Sequence, residues 1–139
     1  MILLQFGANT TYFTLTEKTT LANAKYVFVF VNDNTGRKVA CTAPDLSTYT
    51  AHHNQFTLTV VASGAVAASG QIQLDDYGFY HYYVYETLDP STFDYTNIDT
   101  TDLRTLTGEV EIGKMQYLPS APTYKTYKDI RTSIKTYGT

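Results

Sequence analysis

Apolar and polar residues alternate with a period of two in segment after segment of this chain. Side chains on an extended strand point to opposite faces in turn, so this alternation predicts strands that bury one face. The first runs from Thr11 to Leu15, with Phe13 and Leu15 on one side. Lys25 to Val31 is the longest and cleanest: Tyr26, Phe28 and Phe30 share one face, and Val27, Val29 and Val31 the other. Apolar character on both faces marks a strand inside a sheet, or one whose outer face meets a neighbour. Asn32 to Gly36 supplies a turn, and Arg37 to Ala43 returns as the hairpin partner. Pro44 to Asn54 reads as a polar loop with one short helical turn. The pattern then predicts strands over Gln55 to Val61, Ala68 to Leu74, Phe79 to Glu86 and Gly108 to Tyr117. Between the last two lies a long loop, Ser91 to Thr107, flanked and filled by Asp89, Asp94, Asp99 and Asp102. Such a loop is a surface excursion used for contact, or a mobile one.

Seven strands joined mostly by short turns match an immunoglobulin-like antiparallel β-sandwich. One motif sharpens that expectation. Asp76-Tyr77-Gly78-Phe79-Tyr80 has the Asp-x-Gly-x-Tyr spacing of a tyrosine corner at the turn into the sixth strand. The glycine permits the tight turn, and the Tyr80 hydroxyl is expected to bond back to nearby backbone. Antibody domains carry a cysteine two positions later; Tyr82 stands there, and the chain has no tryptophan.

Composition agrees with an all-β chain. Among 139 residues there are 13 Tyr and 7 Phe, with many Thr and Val. A single cysteine, Cys41, excludes an intramolecular disulfide and suits a reducing compartment; its place in an apolar alternation predicts a buried filler. The opening Met-Ile-Leu-Leu-Gln-Phe is too short for a signal-peptide core, so synthesis in the cytoplasm is expected. Asn9-Thr10-Thr11 spells a glycosylation sequon that carries little meaning without secretion.

Charge divides the chain in two. Residues 1–118, the expected sandwich, carry six basic and twelve acidic side chains, net −6. Residues 119–139 carry four basic and one acidic, net +3, after Pro119 and Pro122 interrupt strand pairing. In this extended C-terminal arm Tyr124, Tyr127 and Tyr137 interleave with Lys125, Lys128, Arg131 and Lys135. Tyrosine and arginine are enriched at interface hot spots, so the arm is expected to lie along a neighbouring subunit with an acidic surface.

Candidate chemistry is sparse. The three histidines are His52, His53 and His81, with no nucleophile motif beside them. Adjacent His52 and His53 point apart on an extended chain, and His81 alternates with Tyr80 and Tyr82 as a surface or edge residue. The four loop aspartates lack the spacing of a calcium loop. No phosphate-cradling glycine loop is present. No catalytic residue, metal or cofactor is expected, and no basic face for nucleic acid.

An ordered series of segments carries a family resemblance. It comprises Met-Ile-Leu-Leu-Gln at the start, Thr14-Leu15-Thr16-Glu17-Lys18-Thr19-Thr20-Leu21 and Tyr26-Val27-Phe28-Val29-Phe30-Val31-Asn32-Asp33. Gly78-Phe79-Tyr80-His81-Tyr82-Tyr83-Val84-Tyr85-Glu86 follows, then Gly108-Glu109-Val110-Glu111-Ile112-Gly113-Lys114-Met115 and the Pro- and Tyr-containing arm. The whole chain resembles short virion structural proteins of tailed bacteriophages, particularly the crAss-like group and its relatives. The resemblance implies a non-enzymatic component of the virion, an auxiliary or decoration protein bound to the major capsid protein. It also leaves open a head-fibre or tail attachment subunit, and homo-oligomer formation. A module that binds host glycans through the aromatics of Tyr77 to Tyr85 is a further alternative. No membrane partner is implied.

Overall fold

A computed structural model describes residues 1–49 and 52–119. Eight strands form among them: β1 (Ile2–Gln5), β2 (Gly7–Phe13), β3 (Lys25–Asn32), β4 (Lys38–Thr42), β5 (Asn54–Val60), β6 (Gln71–Ile72), β7 (Gly78–Thr87) and β8 (Glu109–Leu118). The longest alternating segment, β3, is interior, as its two apolar faces predict: it pairs antiparallel with β4 on one side and β7 on the other. The sheet continues outward to give the order β1-β8-β7-β3-β4, and a smaller sheet has the order β2-β5-β6. No helix among the described residues is long and apolar enough to cross a membrane.

Facing aromatics hold the two sheets together. Phe28 of the larger sheet meets Phe56 of the smaller edge to face, with centroids 4.8 Å apart, and Phe13 packs on Phe28, Phe56 and Tyr82. Leu4, Leu15, Leu58, Val60, Ile72, Val84 and Met115 are among the other members of this core. Each fully buried side chain of this size contributes about 1.5–3 kcal/mol relative to exposure. Cys41 is a filler within the same core, and burial pushes its thiol up to about 12, which keeps it protonated and unreactive.

The N-terminal region departs from expectation. The apolar opening is itself a strand, β1, and it runs parallel to β8, with Ile2 opposite Met115 and Gln5 opposite Leu118. The chain then crosses to the other sheet, where β2 pairs antiparallel with β5 from Gly7 opposite Val60 to Phe13 opposite Asn54. Asn9 fixes this crossing. Its side chain accepts from the Gln5 N–H at 2.9 Å and donates to the carbonyls of Gln5, Gly7 and Leu58 at 2.8, 3.0 and 3.2 Å. The first predicted strand, Thr11 to Leu15, is therefore displaced upstream. Leu15 is still buried, its N–H donating to the Asn54 side-chain oxygen at 2.8 Å.

Two other expectations change. The predicted strand over Ala68 to Leu74 shrinks to two residues, because Ala67–Ser69 forms a 3-10 turn, and it pairs parallel with β5. The sheets are thus antiparallel except at β1–β8 and β5–β6. In the Pro44–Asn54 loop the His52 and His53 N–H groups both donate to the Tyr49 carbonyl, at 2.9 and 3.1 Å, and Asp45 accepts from the Gln55 N–H and the Asn54 side-chain amide.

The acidic loop is a surface excursion, and it folds over the larger sheet. Ile98 is buried against Val27, Val29, Ala40 and Tyr85, with Phe93, Tyr95, Leu103 and Leu106 packed around it. Three 3-10 turns, Pro90–Thr92, Ile98–Thr100 and Leu103–Thr105, carry the chain across.

Candidate functional site

The tyrosine corner is built where β7 begins. Gly78 takes φ +122°, a region L side chains rarely adopt, and Tyr80 is buried two residues on. Its hydroxyl donates to the carbonyl oxygen of Asp76 at 2.6 Å, and burial raises its pKa. Asp76 takes part in this bond through its backbone. The corner fixes the entry to β7.

The other sequence-predicted site residues, Tyr124, Lys125, Tyr127, Lys128, Arg131, Lys135 and Tyr137, lie outside the described residues. The strand that leads towards them, β8, ends at Leu118 beside Gln5.

Residues of reactive type are held in structural roles. Asp89 and Asp102 cap the first and third loop turns by accepting the backbone N–H of Ser91 and Arg104, each at 3.0 Å. Asp94 accepts from the Thr96 N–H at 3.1 Å and from the Asn97 side-chain amide at 2.9 Å. Side-chain bonds from Ser91, Thr96 and Arg104, together with these, hold the carboxyls of Asp89, Asp94 and Asp102 below their usual range. Asp99 accepts the Lys38 N–H at 2.8 Å, which covers part of the β4 edge. His81 pairs with Asp33, and His53 sits edge-on to Tyr12 with ring centroids 5.6 Å apart. Among the described residues no group of three or more His, Cys, Asp or Glu is placed to hold a metal ion.

Three surface features remain, and none was marked by a sequence motif. On the outer face of the larger sheet, beyond the reach of the acidic loop, Leu3, Phe79 and Ile112 are 47%, 51% and 53% exposed. Leu3 and Phe79 flank Gln116 in one register row, and Ile112 stands opposite Tyr83. A cavity of about 550 Å³ opens between β4, β6 and the acidic loop, over Val39, Ala40, Ile72 and Ile98. A smaller cleft of about 250 Å³ lies by Tyr12, Thr14, His53, Tyr82 and Glu111.

The smaller cleft has the more specific chemistry. Tyr82 crosses β8 at Gly113, where a Cβ would stand only 2.4 Å from the Tyr82 ring and hydroxyl. The missing side chain lets the hydroxyl donate to Glu111 Oε2 at 3.2 Å, while Lys18 Nζ pairs with Glu111 Oε1 at 3.1 Å. Burial, with the Glu111 charge added, pushes the Tyr82 phenol up to about 12, so it remains a donor. The only visible sequence signal was Gly113 interrupting a strand, which marks a close approach. Comparison of the chain with protein-family models, with curated proteins and with solved structures finds no match.

Proposed function

We propose that this chain is a non-enzymatic structural protein of a bacteriophage virion, an auxiliary or decoration protein bound to the major capsid protein on the head. The observation that carries the reading is the unequal cover of the larger sheet. The loop covers β3, β4 and the end of β7 at Tyr85, whereas β1, β8 and the start of β7 present Leu3, Ile112 and Phe79 to solvent. Exposed apolar side chains on a sheet, with the polar His81–Lys114 row between Phe79 and Ile112, suit docking to a larger surface. The family resemblance supplies the identity of that surface, and the basic, tyrosine-bearing arm supplies a second point of attachment.

The accompanying fold assignment is an immunoglobulin-like sandwich. Four features support it: β2 pairing with β5 in one sheet, the order β8-β7-β3-β4 in the other, β1 added beside the last strand, and the Tyr80 bond at the entry to β7. The two-residue parallel β6 is a departure from that pattern. Image reconstruction of intact particles tests the function. Density for this domain on the head lattice is the expected result, and density confined to the tail overturns the capsid assignment in favour of an attachment subunit.

A further inference from the structure

We propose that the cleft by Tyr12 and Glu111 is a binding site for a neutral saccharide, taking one pyranose ring. The inference stands on the cleft alone and does not depend on the capsid assignment. It also differs from a glycan surface along Tyr77 to Tyr85, because Tyr80, Tyr82 and Tyr85 are buried.

The charge of the site narrows the ligand class. Glu111 is mostly shielded from solvent and already paired with Lys18. A cationic ligand has to compete with that ammonium, and an anionic one meets the carboxylate. A purely apolar ring strips water from Glu111 and returns no hydrogen bond. A neutral polyol avoids all three penalties. A carboxylate has about four acceptor positions, of which Lys18 and the Tyr82 hydroxyl use two, leaving acceptors for sugar hydroxyls. The Thr14 hydroxyl, on the cleft wall, both donates and accepts.

Tyr12, with Met1, Ile2 and Phe13 of the cleft lining, supplies the apolar half of the recognition. It is 60% exposed beside the cleft and is steadied edge-on by His53, so its ring is available to the C–H face of a pyranose at little entropic cost. The volume of about 250 Å³ is below the roughly 300–1,000 Å³ of drug-sized sites and suits a single ring. Gly113 makes the arrangement a built one, since any side chain there displaces Tyr82 from Glu111.

The test is backbone amide shift mapping on the full chain, titrated with the methyl glycosides of glucose, galactose, mannose, fucose and N-acetylglucosamine. At least one glycoside is expected to give saturable shifts centred on Tyr12, His53, Glu111 and Gly113. Tyr12→Ala and Glu111→Gln are each expected to weaken that binding by about 10-fold or more. Tyr12 is exposed, so its variant reports on the site even if Glu111→Gln fails to fold. Absence of saturable shifts with all the glycosides overturns the proposal. So do shifts spread over the surface, or binding that Tyr12→Ala leaves unchanged.

Discussion

The two halves of the larger sheet's outer face are made of similar residues and meet opposite fates. Over β3, β4 and the end of β7, Val27, Val29, Ala40 and Tyr85 lie beneath Ile98 and the apolar residues around it. Over β1, β8 and the start of β7, Leu3, Ile112 and Phe79 stand in water. The difference comes from the loop rather than from the strands. Asp89, Asp94 and Asp102 each accept the backbone N–H two residues on, and Phe93, Ile98 and Leu106 follow them by four residues in every case. The caps satisfy the turns' backbone donors in solvent while the apolar residues reach down to the sheet. An apolar strand face is therefore weak evidence for a partner until the chain's own loops have been accounted for.

That contrast can be broken most sharply by truncation. Ile98→Ala in the covered half is expected to cost about 2–5 kcal/mol, whereas Ile112→Ala in the bare half costs within about 0.5 kcal/mol. Urea unfolding of the two variants decides it, and equal losses would sink the division into halves. Next in size, Tyr80→Phe is expected to cost about 1 kcal/mol by leaving the Asp76 carbonyl without its donor. A midpoint unchanged by that substitution would show the corner bond to be dispensable.

A smaller effect belongs to Glu86. Burial raises its pKa, but bonds from the Thr20 hydroxyl and from the Thr20 and Leu21 amides outweigh it, so the folded value lies below 4.5. A depressed folded pKa contributes stability that is present above the unfolded value and lost as pH falls through the folded one. Glu86→Gln is accordingly expected to lessen the fall in stability below about pH 4.5. Parallel acid titrations of the two proteins would refute this. Smallest in stability but largest in assembly are Phe79→Ser with Ile112→Ser, and removal of residues 120–139. Each is expected to leave the unfolding midpoint within about 0.5 kcal/mol of the parent. Each should also reduce incorporation into particles, scored by quantitative gel analysis of purified virions. Unfolding of the truncated chain would move the domain boundary beyond residue 119.

How much of this was legible in the sequence varies with the range of the interactions. Strand β3 was plain, because seven residues of alternation with both faces apolar admit little else. Gly78 and Tyr80 were found by spacing, since a turn and its bond are local. Strand β1 was read only as a failed signal peptide: four residues are too few to show a period, and its partner is more than a hundred residues away. The strand β2 was misplaced because Asn9, a polar residue on neither face's pattern, sets the crossing between sheets. In the loop the aspartates attracted attention as ligands, while the apolar residue four positions after each capping one went unread. The Glu111 cleft left only Gly113 as a trace, since it joins side chains from β1, β2, β7, β8 and two loops.

The parallel pairing of β1 with β8 has a mechanical consequence. Force applied between Met1 and Leu118 pulls the two strands in opposite directions along their length, so the whole register from Ile2–Met115 to Gln5–Leu118 is loaded together. Pairs under shear must yield at once, whereas those of an antiparallel hairpin pulled at its open end peel one by one. A domain tethered by both ends to a particle would thus resist extension at its terminal strands, before the core beneath them is strained.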